Sequence, residues 1–162
     1  LKYKNNYKIK IKNVIPDVQA DFWNGDPDID ATCRMEHYPM CFFDNKYFPI
    51  STNTFSPFNQ QNTFLSRKAL KYYLALPFIG RMDDIWPAYL CEANGINVVY
   101  NKATVFQDRN VQNLTTNLKN EFIGYEKTLD LLEKLKENKD SINDFLPKES
   151  QLVLKLYQQY FE

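Results

Sequence analysis

Polar and apolar residues alternate along Tyr7-Lys-Ile-Lys-Ile-Lys-Asn-Val14, the period of a half-buried strand, and Pro16 stops the run. The short stretch from Val18 to Trp23 reads as one helical turn, and Asn24-Gly-Asp-Pro-Asp28 concentrates turn chemistry. Ile29 to Met35 reads as a short strand. Residues 36–62 hold Pro39, Pro49 and Pro57, too closely spaced for regular structure. The same stretch carries Tyr38, Phe42, Phe43, Tyr47, Phe48 and Phe55, which argue for an ordered loop, and long ordered loops tend to be functional.

Thr63 to Ser66 reads as a strand, with Ser66 the N-cap of a helix over Arg67 to Leu76 that Pro77 ends. Asp83 or Asp84 caps a second helix, with Pro87 in its first turn and Asn94-Gly95 at its end. Asn97 to Phe106 is rich in β-formers. Leu114, Leu118, Phe122, Tyr125, Leu129, Leu132 and Leu135 follow helical spacing, with Gly124 a candidate kink between two helices. Pro147 opens a last helix whose apolar stripe is Val153, Leu156, Tyr157 and Tyr160. Strands in the first two-thirds and helices in the last third predict an α/β chain, or α+β if these residues stand alone.

Composition narrows the class. The 162 residues are 44% hydrophobic and 15% aromatic, enough for a core and too much for general disorder. No apolar run approaches the roughly 18 residues of a membrane span. Lys+Arg and Asp+Glu are both 20, so a broad basic face for nucleic acid is not expected. Cys33, Cys41 and Cys91 form no metal or disulfide pattern, and the single His37 excludes a multi-histidine cage. Charge is nevertheless uneven: five Lys within residues 1–12 are followed by Asp17, Asp21, Asp26, Asp28 and Asp30 with no intervening cation.

Four constellations can carry chemistry, and each has a plain structural alternative. Asp26, Asp28 and Asp30 at alternate positions resemble an oxygen-ligand loop for a hard cation, or an Asx-rich turn. In Gly80-Arg-Met-Asp-Asp-Ile-Trp86, one carboxylate of Asp83 and Asp84 can cap the helix while the other faces a cleft as a general base. Arg81 can clamp phosphate or orient a carboxylate, and Trp86 can stack on a sugar ring or sit in the core. The amides Asn59, Gln60, Gln61 and Asn62 suit the reading of hydroxyls, or satisfy their own backbone. Gln107, Asp108 and Arg109 follow a strand, where α/β sheets bind ligands, or Asp108 or Asn110 caps the long helix.

Taken in order, Asp21-Phe-Trp-Asn-Gly-Asp-Pro-Asp-Ile-Asp-Ala31, Ser56-Pro-Phe-Asn-Gln-Gln-Asn-Thr-Phe64, Gly80 to Trp86 and Asn117-Leu-Lys-Asn-Glu121 resemble the C-terminal half of a glycosyltransferase group. The pattern is similar to the reversibly glycosylated polypeptides (UDP-arabinopyranose mutases) and to STELLO-type glycosyltransferase-like proteins. The resemblance implies a GT-A-type fold, a mixed sheet with flanking helices, acting on a nucleotide-sugar, usually UDP-linked, with Mn²⁺ or Mg²⁺. It implies that residues 1–138 are the acceptor-side part of the catalytic domain and 139–162 a helical extension. The nucleotide-binding half, with its Asp-x-Asp metal motif, is expected to be a partner segment of the same protein outside these residues.

By the same resemblance Asp83 and Asp84 fall where the acceptor-activating carboxylate sits, and Asn59 to Asn62 line the sugar site. The mutase-like relatives carry a His near the position of Gln107 and Asp108, so Asp108 is the candidate metal ligand in its place. Asp26-Pro-Asp28 and Asp28-Ile-Asp30 have Asp-x-Asp spacing but match a different segment of the family. The implied reaction is sugar transfer to a hydroxyl acceptor, with mutase chemistry or non-catalytic glycan or protein binding as alternatives. The expected compartment is the cytoplasm, or the Golgi lumen if an N-terminal anchor belongs to the protein.

Overall fold

The computed structural model describes residues 13–162, so most of the alternating segment Tyr7–Val14 lies outside the described residues. Among the described residues three strands form one mixed sheet: β1 (Val18–Gly25), β2 (Thr63–Leu65) and β3 (Val98–Gln107), in the order β2-β1-β3. β1 runs antiparallel to β2, with Val18 opposite Leu65, and parallel to β3, with Val18 opposite Val98 and Gly25 opposite Gln107. The helices are α1 (Ala31–Glu36), α2 (Arg67–Leu70), α3 (Ile85–Ala93), α4 (Leu114–Glu137) and α5 (Lys148–Gln158). The class is α/β. Among the described residues no helix is long and apolar enough to cross a membrane.

Several local expectations give way to tertiary context. Val18–Trp23 is strand rather than a helical turn, because it is the central strand, paired on both sides, with Val18 and Ala20 buried. Ile29–Met35 is mostly helix rather than strand. Asp30 accepts from the Cys33 N–H as its N-cap, which starts α1 at Ala31. Helix α2 stops at Leu70, short of Leu76. Tyr73 belongs to the sheet-side core and Leu76 to the helix-side core. A continuing helix would put those two residues on one face.

The long loop is ordered by two bridges. Gly25 and Cys41 exchange backbone hydrogen bonds at the end of β1, and Ile50 does the same with Tyr100 on β3. Phe22 stacks on Phe43 with ring centroids 4.5 Å apart, and Phe48 packs beside them.

Helix α4 runs unbroken through Gly124, and its inner face is not the Leu/Phe stripe. Leu131 and Leu135 are buried, but Phe122, Tyr125 and Leu129 are exposed. The turn Gly80–Met82 lies against the other face, where Gly80 meets the Asn120 backbone and Met82 covers Gly124. A close approach of this kind selects small residues over large apolar ones. The stripe expected on α5 is likewise displaced. Ser150 and Leu154 are buried, while Val153, Leu156 and Tyr160 are exposed. Of that stripe Tyr157 is anchored, donating from its hydroxyl to the Leu70 carbonyl at 2.7 Å. Ile142, Leu146 and Leu154 share one core with Leu76, Ile79, Trp86 and Leu131, so residues beyond 138 pack into the same cluster.

Arg34 is the buried cation of the acidic loop, donating to Asp26 at 2.6 Å and to the Pro27 carbonyl. It is only 5% exposed. Truncating one partner of a buried pair strands the other charge. We expect Arg34→Ala to lower unfolding free energy by about 3 kcal/mol, measured by urea denaturation, with Arg34→Lys recovering only part of it because the fork is lost.

Candidate active site

β1 and β3 are parallel and end together, so the loops leaving both carry their residues to one end of the sheet. That end is where open α/β sheets bind ligands. The two loops are stapled there. The Asp26 N–H donates to the Gln107 carbonyl at 3.0 Å, and the Gln107 side chain donates to the Asp26 carbonyl at 2.8 Å.

The three carboxylates of the acidic loop diverge instead of converging on a cation. Asp26 pairs with Arg34, Asp30 caps α1, and Asp28 turns toward the sheet end. Asp28 Oδ1 accepts from Arg109 and lies 3.7 Å from Arg81 Nη2. Its Oδ2 accepts from the Gln61 side chain at 3.1 Å. Arg81 reaches on to Glu121, with Nε 3.1 Å from Oε1, and the other Glu121 oxygen accepts the Ala31 N–H at 2.8 Å. Glu121 is only 5% exposed. Five segments distant in sequence therefore meet: the acidic loop, the amide loop, the Gly80–Trp86 turn, the end of β3 and the start of α4.

Asp84 lies beside this network. It occupies the N-cap position of α3, yet its side chain makes no capping hydrogen bond. Pro87 sits where the third N–H of the helix would be, so a usual target of a capping carboxylate is missing. Asp83 instead accepts the Asp84 N–H at 3.1 Å. The plain-cap alternative for Asp84 is thus not what the structure contains. Burial raises the Asp84 carboxyl to about 6, with the charges of Asp83 and Asp28 adding to it. The backbone N–H of Gln60 approaches the same carboxyl and partly offsets the rise.

The remaining candidates divide. Gln60 and Gln61 belong to the cluster through Asp84 and Asp28. Asn59 accepts the Gln61 N–H within its own turn. Asn62 donates to the Phe22 carbonyl and to Thr104, clipping the loop to the sheet. Trp86 has no exposed surface, and its indole donates to Thr128 at 3.0 Å. It is a core residue with no face free for a sugar. Asp108 is exposed, and the helix cap considered there falls instead on Asn113, which accepts the Thr116 N–H. Among the described residues no group of three or more His, Cys, Asp or Glu side chains gathers as a metal cage. Asp108 belongs to no such group among them.

Arg34 carried no signal as a site residue, and Glu121 entered only as the last residue of the Asn117–Glu121 segment, with no role of its own. A lone Glu on a long polar helix gives no hint that it faces inward. Asp28 was legible only as one of three similar acids. A separate cleft of about 770 Å³ is lined by Lys71, Lys139, Lys148, Lys155 and Asn94, among others, and shares no residue with the cluster.

The amide loop is held from behind by Glu92. Both Glu92 oxygens accept the Ser56 N–H, at 2.9 and 3.2 Å, and Tyr100 donates to the Ser56 carbonyl. Burial raises Glu92 to about 7, partly offset by that N–H. A carboxyl raised on folding favours the fold at low pH and loses that contribution as pH climbs from its ordinary value through the folded one. We expect Glu92→Gln, which keeps an acceptor for Ser56, to raise the melting temperature more at pH 8 than at pH 5.

No protein-family description matches this chain, and no curated protein matches it significantly.

Proposed function

We propose that the cluster is the acceptor side of a nucleotide-sugar glycosyltransferase site, with Asp84 as the base. The observation that carries this reading is the Asp84 carboxyl, which caps no helix N–H and lies beside the network. A base raised to about 6 is mainly ionised at neutral pH and still strong enough to accept a proton. Asp84 takes the proton of the acceptor hydroxyl as its oxygen bonds to the anomeric carbon. The bond from that carbon to the phosphate oxygen breaks, and the nucleoside diphosphate leaves with the electron pair.

Arg81 and Arg109 are the cations of the cluster, and Asp28 and Glu121 hold them in place. The Mn²⁺ or Mg²⁺ implied by the resemblance would supply Lewis acidity toward the phosphates, with ligands beyond those gathered here. A non-catalytic glycan-binding module is the second reading. Its support is that both guanidiniums already pair within the chain. UDP release from a panel of UDP-hexoses and UDP-pentoses with methyl glycoside acceptors separates the two. Turnover by the protein carrying this chain supports transfer; glycoside binding without turnover supports the module.

A further inference from the structure

Helix α4 carries two faces that could pack, and the fold uses one of them. Glu121, Leu131 and Leu135 are buried on it, with Gly124 against Met82 and Thr128 bonded to Trp86. Leu118, Phe122, Tyr125, Leu129 and Leu132 form the other, recurring at alternate intervals of four and three residues. Leu118 is half-buried, and Leu132 edges into the core. Between them Phe122, Tyr125 and Leu129 are 56, 52 and 75% exposed and join no core cluster among the described residues. A contiguous apolar patch left open on a folded surface marks a contact site.

The spacing selects the kind of partner. Alternation of four and three is the a/d repeat of a helix seam, which takes its knobs from a second helix of the same repeat. The identical repeat is present on α4 of a second copy, and a two-fold axis lets one patch serve both sides. Thr115 and Lys136 hold the next positions of the repeat, so the seam is five residues long. Charge then sets the direction. Lys119, Glu126 and Glu133 flank the seam at its e positions, exposed and in no ion pair among the described residues. A parallel pair would bring Glu126 of one copy beside Glu121 of the other, like charge against like. An antiparallel pair brings Lys119 of each copy to Glu133 of the other. Glu126 then meets its own copy near the axis, one solvated repulsion against two attractions.

We propose that the chain self-associates as a two-fold dimer in which α4 pairs antiparallel with α4 of a second copy. Phe122 and Tyr125 of each copy pack against Leu132 and Leu129 of the other. The inference is independent of the proposed function. Half of two aromatic side chains and most of a leucine expose roughly 300 Å² of apolar surface per copy. That is less than a permanent dimer buries, so the dimer is weak and reversible, with a Kd of roughly 1–100 µM.

Sedimentation equilibrium of the 162-residue chain at low salt, over concentrations spanning that range, is expected to show monomer passing to dimer. Leu129→Glu puts a carboxylate in the seam and should raise the Kd about ten-fold or more. Its melting temperature should stay near that of the unmodified chain, because the side chain is largely exposed. Lys119→Glu sets two carboxylates against each other and should raise the Kd about three- to ten-fold. Adding Glu133→Lys should restore association. Adding Glu149→Lys instead, on α5, restores only the net charge and should not rescue it. A chain that stays monomeric throughout, as when a different protein covers this face, overturns the proposal. So does a dimer indifferent to Leu129→Glu or to Lys119→Glu, or one that Glu149→Lys rescues as well as Glu133→Lys.

Discussion

Asp84→Asn should make the protein more stable and its chemistry fail. The stability sign follows from linkage. A carboxyl raised to about 6 from its ordinary 3.8 binds its proton more tightly when folded. Its contribution is full below the ordinary value and is lost as pH rises through about 6. At pH 8 the native state therefore carries a charge it disfavours. Asn removes that charge and keeps an acceptor for the Gln60 N–H. Because the carboxyl is partly solvated, the gain is discounted to about 1 kcal/mol, or roughly 2–4 °C in melting temperature. The gain should shrink toward zero at pH 4.

Activity moves the other way. Removing a general base lowers turnover by about 10²- to 10⁴-fold, while the donor KM should hold, since the proposal puts Asp84 on the acceptor side. A merely structural Asp84 would not show opposite signs in the two measurements. Melting curves at pH 4 and 8, paired with initial rates at pH 7.5, give both.

Gly80→Ala is the substitution expected to harm the fold most. Gly80 is exposed, and by exposure alone an extra methyl looks harmless. Its φ is +60°, where a side chain is strained, and a Cβ there would lie 2.1 Å from the Asn120 carbonyl oxygen. That neighbour is the backbone of a 24-residue helix and cannot step aside alone. The turn must lift off α4, breaking the Arg81–Glu121 contact one residue further on. A loss of about 3–5 kcal/mol is expected, read from the urea midpoint. Gly124→Ala is the control. Its Cβ would lie 2.4 Å from the sulfur and 2.8 Å from the terminal methyl of Met82, a flexible side chain rather than backbone. Ala also gains about 1 kcal/mol of helix propensity over Gly, so the net change should stay within about 1 kcal/mol.

These cases show what the chain revealed and what it hid. β3 was legible from its β-formers, α3 from the residues that bound it at each end, and α4 from helical spacing along a long run. Ser66 was legible as a cap because it directly precedes its helix, and its oxygen does accept the Ala69 N–H. β1 was hidden because the centre of a sheet is defined by its partners, which for Val18 come 47 and 80 residues later at Leu65 and Val98. The inner face of α4 was hidden because a turn packing closely against a helix selects Gly124 over leucine, reversing the usual sense of an apolar stripe. At the site, Asp83, Asp84, Gln60, Gln61, Arg81 and Arg109 stood out as polar clusters at element ends. Trp86 misled because an aromatic after acidic residues fits a sugar platform and a core equally well.

The pH dependence of UDP release, measured from pH 5 to 8 with a UDP-sugar and a neutral methyl glycoside, tests Asp84 most directly. The expected profile for kcat/KM falls on the acid side with a midpoint near 6, and Asp84→Asn abolishes that limb together with most of the rate. Release that is absent at every pH, or that persists unchanged in Asp84→Asn, would contradict the assignment of this cluster to glycosyl transfer.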